Sequence, residues 1–144
     1  MSEPIPYQYF VLRAVPRPER EEFVNVGVVL YAEALDELAM GWQLDADRVR
    51  ALDPGADVDA LRDALEHLER MSRTGGAAGM ARARRRGALF GWLAAPRSTL
   101  VQPGPVHGGL WRSAATDPDT RDGSPLAPIV EQLLDRCVRL PSAS

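Results

Sequence analysis

The sequence predicts an α+β domain: an antiparallel sheet of about four strands, with two longer helices and one or two shorter ones packed on it. Three observations carry that expectation. Residues 22–31, Glu-Phe-Val-Asn-Val-Gly-Val-Val-Leu-Tyr, form a valine-rich run with no proline and no helical spacing, which is the composition of a central strand. Two other strand-like runs lie a short link away on either side, and sequential strands on short links favour an antiparallel meander. Beyond them the period changes: Val58, Leu61, Leu65, Leu68 and Met71 recur every three or four residues, as the buried stripe of a helix does.

In chain order, residues 7–15 alternate Tyr7, Tyr9, Val11, Arg13 and Val15 against Gln8, Phe10, Leu12 and Ala14, a first strand with Arg13 on its tyrosine face. Pro16-Arg17-Pro18-Glu19-Arg20 is a short turn into the central strand, because two prolines fix φ and remove donors. On strict alternation, Val24, Val26, Val28 and Leu30 share one face of that strand, while Phe23, Asn25, Gly27, Val29 and Tyr31 share the other. A third strand is expected over 38–44, with Leu38, Met40, Trp42 and Leu44 on one face. Residues 45–53 form a short helical turn ended by Pro54-Gly55, and Asp57 caps the long helix that follows. Residues 72–79 are a glycine- and alanine-rich loop. Residues 80–95 are a second helix, stopped by Ala95-Pro96. Residues 99–102 are a short fourth strand, which Pro103 and Pro105 are expected to end, leaving loop up to a last helix near Pro125. There Ser124 is the expected cap, and Ile129, Val130, Leu133, Leu134, Cys137 and Val138 are the buried stripe. Residues 113–123, with Asp-Pro-Asp and Asp-Gly, are expected to be an exposed insertion.

A chain of 144 residues, 45% apolar, is the size of one domain, able to bury a core without disulfides or metal. The lone Cys137 cannot close an internal disulfide, and two distant histidines do not form a metal cluster, so neither a metal nor a cofactor is expected. The start, Met-Ser-Glu-Pro-Ile-Pro, lacks the basic-then-apolar pattern of a signal peptide, and no run is long enough to span a bilayer; a cytoplasmic protein with no membrane contact is expected. The net charge of −3 conceals a division. Residues 19–69 carry fourteen acids against four arginines, whereas residues 70–112 carry eight arginines and no acid. Either the halves face one another or are solvated, or the basic half meets an anion.

The core Phe-Val-Asn-Val-Gly-Val-Val-Leu, preceded by Leu12-Arg13-Ala14-Val15-Pro16-Arg17 and followed by Trp92-Leu93-Ala94-Ala95-Pro96-Arg97-Ser98-Thr99 and Gln102-Pro103-Gly104-Pro105-Val106-His107, resembles domain of unknown function family 3037. The resemblance spans nearly the whole chain, and it is the motifs together, in this order, that are specific. It implies a small bacterial cytoplasmic protein of no established activity, whose relatives are encoded beside HipA-like serine/threonine kinases, and hence a kinase as protein partner. Where the family pattern runs from His-x-Gly-Leu almost directly into an Asp-Pro pair, this chain has residues 111–116 first.

No catalytic constellation is assigned. Ser98 or Thr99 with His107 as base lacks both a Gly-x-Ser-x-Gly elbow and an identifiable orienting carboxylate. A chain without lysine has no Walker-type phosphate loop. A binding site is better supported: Arg97 offers a forked donor, Ser98 and Thr99 short hydroxyls, and Gln102 and His107 adaptable polar groups, with Arg13 and Asn25 candidates on the sheet. Either these converge on one concave surface or each is satisfied locally. The leading expectation is a non-enzymatic interaction module. The alternative is a nucleotide- or nucleic-acid-acting protein using Arg13, Arg97 and the run from Arg82 to Arg86.

Overall fold

In the computed structural model, residues 3–74, 86–95, 99–112 and 125–141 are described. The three predicted sequential strands are β1 (Ile5–Ala14), β2 (Val24–Ala32) and β3 (Glu37–Trp42), paired antiparallel as a meander with β2 in the middle. The β1–β2 link is a single 3₁₀ turn, Pro18–Arg20, closed by Glu21 at φ 57°. Asp45 caps α1 (Ala46–Leu52), its carboxylate accepting from the amides of Asp47 and Arg48. Asp57 does the same at the start of α2 (Val58–Thr74), accepting from Ala60 N at 3.0 Å. The described part of the second predicted helix is α3 (Arg86–Ala94).

The antiparallel sheet of about four strands with helices packed on it is present, and its edge carries one strand more than the sequence showed. After β4 (Val101–Pro103) a fifth strand, β5 (His107–Trp111), forms where only loop was expected before the last helix. Both pair with β1: Leu12 faces Pro103, and Tyr9 faces His107. Between them Gly104 N still donates to Val11 O at 2.8 Å, so the segment is one edge strand interrupted by a bulge, the place where prolines are tolerated. The last helix, α4 (Ala127–Cys137), also begins later than expected: Leu126 is its N-cap residue, and Pro128 lies in its first turn. Ser124 and residues 113–123 lie outside the described residues.

Helices cover the sheet on both faces. On the first, Phe10, Leu12 and Ala14 of β1 and Val29 and Tyr31 of β2 pack against Val49, Leu61, Leu65, Leu89, Phe90 and Leu93 of the first three helices. Leu38, Met40, Trp42 and Leu44 join them, on one face as expected. On the second face, Val28, Leu30 and Ala32 pack against Ile129, Val130, Leu133 and Leu134 of α4, whereas Cys137 is only partly buried there. The close seat of α4 needs Gly41, where a Cβ would stand 2.6 Å from Val130 Cγ1. On the first face, Trp42 Nε1 donates to Glu69 Oε2 at 2.5 Å, and Arg73 Nη2 donates to the other oxygen at 2.6 Å, tying β3 to α2.

Strict alternation along β2 fails at one point. Leu12 pairs with Gly27 but Arg13 with Asn25, so Val26 is an extra, unpaired residue. The phase changes there: Val24 and Val26 face the same way as Val29 and Tyr31, while Val28 and Leu30 face the other way. Asn25 and Gly27 are therefore on opposite faces. That correction places the polar residues discussed below.

Asp53, just after α1, accepts from Gly55 N at 3.0 Å and from Arg17 Nε at 3.2 Å. The Gly55 amide first, and the Arg17 guanidinium second, hold its carboxyl below the ordinary carboxylate range. A carboxyl with a depressed folded pKa stabilises above the pKa of the unfolded chain, and that contribution is lost as pH falls through the lower folded value. In an NMR titration the Asp53 carboxyl carbon is expected to titrate below unperturbed Asp, and Arg17→Gln to return only part of the shift. A full return would make the arginine, not the amide, the larger cause.

Candidate functional site

Odd-numbered residues of β1 face α4's side of the sheet, and the bulge in β2 turns Asn25 to the same side. Arg13 pairs with Asn25 on one flank and with Gln102 on the other. Cross-strand partners share a face. Three of the seven candidate residues thus form one polar row, Gln102, Arg13 and Asn25, across β4, β1 and β2. His107 lies farther along the same face opposite Tyr9, with ring centroids 5.4 Å apart. Thr99 stands just before β4. Arg97 and Ser98 lie outside the described residues, as do Arg82, Arg84 and Arg85.

Several of these groups are satisfied locally. Asn25 Nδ2 donates to the Cys137 carbonyl at 3.1 Å, and Arg48 Nη1 donates to the Val138 carbonyl at 2.8 Å, so the two side chains take carbonyls at the C-terminal end of α4 that the helix itself leaves unpaired. Thr99 Oγ1 donates to Val101 O at 2.6 Å, and Gln102 Nε2 returns to Thr99 O at 2.9 Å, closing the bend before β4. Asn25→Ala is expected to cost about 1–2 kcal/mol, because the Cys137 carbonyl loses its donor. Thermal denaturation measures it; an unchanged midpoint would mean water replaces the amide.

Arg13 is the exception. Its Cζ sits 4.1 Å from the centroid of the Phe23 ring, and a Cβ added to Gly104 would stand 3.2 Å from both Cζ and Nε. The guanidinium is therefore held between an aromatic face and a stretch of backbone where a side chain at Gly104 would crowd it. Its Nε is buried with no hydrogen-bond partner, and among the described residues Arg13 makes neither a hydrogen bond nor an ion pair. A cation over a ring contributes about 1 kcal/mol. A buried donor left unpaired costs about 1–3 kcal/mol. The arrangement holds Arg13 in place without satisfying it.

Among the described residues, the second face near Arg13 is only partly covered. α4 lies over β2 and β3; Val11 next to Arg13, Tyr9 beyond it and Trp111 opposite Ile5 at the far end of β1 are partly buried at the edge of that cluster, while Phe23 is 43% exposed. This aromatic margin was not anticipated. Its signal was present in the alternation that carries Tyr9, Val11 and Arg13 to one face, and in Phe23 two residues before Asn25. A small apolar cleft of about 10 Å³, lined by Leu12, Val29, Leu68, Leu93, Val101 and Pro103, lies on the other face and has room for no more than a water molecule. Among the described residues no cluster of three His, Cys, Asp or Glu side chains could hold a metal ion, and no helix is long and apolar enough to cross a membrane.

A family model described as protein of unknown function (DUF3037) matches residues 9–120, which include the whole polar row and the edge strand. No curated protein and no solved structure matches the chain.

Proposed function

The chain belongs to the DUF3037 family of proteins of unknown function, and from that premise we propose that it is a non-enzymatic interaction module, docking a protein partner on the aromatic margin of the sheet beside α4. The supporting observation is that margin itself. Val11 and Phe23 beside a fixed arginine, with Tyr9 and Trp111 farther along the same face, leave apolar and aromatic area in reach of solvent. Aromatic residues and arginine are the types enriched where proteins meet. The partner offered by the resemblance of the Asn25 and His107 motifs is a HipA-like kinase, whose activity the module would regulate.

Co-purification from the native cell tests this, with wild-type protein and a Phe23→Asp variant compared at equal folded yield. Recovery of a kinase with the wild type and its loss with the variant is the expected result. Equal recovery with both would remove the margin from the interaction. Affinity for a single-stranded oligonucleotide that falls steeply with salt would instead favour the arginine-rich alternative.

A further inference from the structure

We infer that Arg13 is the anchor of this docking face, and that its occupant is an acidic protein segment whose Asp or Glu carboxylate meets the guanidinium. The inference rests on the docking reading above and deepens it. Arg13 has no carboxylate of its own among the described residues, although residues 19–69 of this chain carry fourteen acids. The next arginines in the chain, by contrast, have carboxylates: Arg17 takes Asp53, and Arg20 takes Glu22. The Phe23 ring on one side and Gly104 on the other remove most of the freedom that an arginine loses on binding, so the fork is organised before any ligand arrives. The Phe23 ring takes no N–H in the plane of the guanidinium, and a buried, unpartnered Nε marks a donor set that the described residues do not complete.

The surroundings choose between anions. A phosphate site gathers several cations or backbone amides around one group. Among the described residues one cation stands in a row with two neutral amides, Gln102 and Asn25, both already bonded to backbone, beside Val11 and Phe23. A single carboxylate flanked by apolar side chains matches that layout. An acidic and hydrophobic strand or helix face supplies both.

The test uses the full chain and two synthetic peptides, one of alternating Glu and Leu and one of alternating Gln and Leu, followed through the Arg13 Nε–Hε resonance. The Glu-containing peptide is expected to shift that resonance and the amides of Arg13 and Gly104, and to bind about tenfold more tightly than its Gln counterpart. Arg13→Gln is expected to remove that tenfold preference, and Arg112→Gln, at the end of β5, to leave it intact. Should Arg13→Gln fail to fold, the wild-type resonance and the peptide pair still decide. Equal binding of the two peptides at this face would overturn the acidic anchor while leaving the docking face in place. Peptide shifts confined to other surfaces would overturn both, and a response of Arg13 to inorganic phosphate or an oligonucleotide but to neither peptide would assign it to a different class of ligand.

Discussion

Phe10→Ala is expected to lower stability by about 3–5 kcal/mol, a large share of the roughly 5–15 kcal/mol that holds a domain folded. Phe10 has no exposed surface. Its ring centroid is 5.3 Å from that of Phe90 on α3, and Phe90 in turn stacks on Tyr31 at 5.8 Å. Removing the first ring leaves a void between β1 and α3, lined by Phe90 and the rest of this core. Phe10→Leu, which keeps most of the volume, should cost much less. Urea denaturation of the two variants measures the difference. A loss under about 1 kcal/mol for Phe10→Ala would mean that α3 contributes little to the core.

Much of this fold was legible because two periods recur cleanly in the chain. The alternation from Tyr7 to Arg13 gave β1 its correct faces, and the spacing from Val58 to Met71 gave α2 its buried stripe. β5 was hidden by a sound rule applied to the wrong kind of strand. Pro103 and Pro105 would break a central strand, but on an edge the missing donors cost little, and Gly104 between them keeps the ladder by bonding to Val11. The bulge at Val26 was invisible for another reason: a single chain shows the side-chain period but not the partner against which register is counted. Without it, Asn25 was grouped with Gly27 rather than with Val28 and Leu30.

The candidate site shows the same division. Arg13, Asn25 and Gln102 could be singled out as polar residues on strand-forming stretches, yet their alignment in one row follows only from pairings between segments far apart in sequence. Local bonds then separate them. Asn25 serves the end of α4 and Gln102 serves the bend at Thr99, which leaves Arg13 as the member with unused donors. The Phe23 ring that holds it sits just before the first residue of β2, two residues from Asn25, and its meeting with Arg13 follows from the pairing of β1 with β2 rather than from either segment alone.

Gly27→Val is expected to cost about 3 kcal/mol, at the upper end for an overpacked core. An ideal Cβ at Gly27 stands 2.9 Å from the Gly41 carbonyl oxygen, 3.0 Å from Trp42 Cβ and 3.2 Å from Leu12 Cδ1. The last of these is the tip of a flexible side chain and can yield. The first two belong to β3, paired with β2 and tied to α2 through Trp42 and Glu69, so they can move only with the strand. Valine adds two carbons beyond that Cβ, whereas Gly27→Ala adds the Cβ alone and should cost about 1–2 kcal/mol. The position matters beyond its volume, because Gly27 is the first residue after the unpaired Val26. Relief of the clash by loss of the bulge would turn Asn25 away from Cys137 and Val24 out of the core. Two measurements separate the outcomes. A lowered denaturation midpoint with the Asn25 side-chain amide resonances unchanged would mean strain within the native register, and their loss would mean that the strand has slipped. A midpoint equal to wild type would show that this face of β2 is not closed by β3 and Leu12.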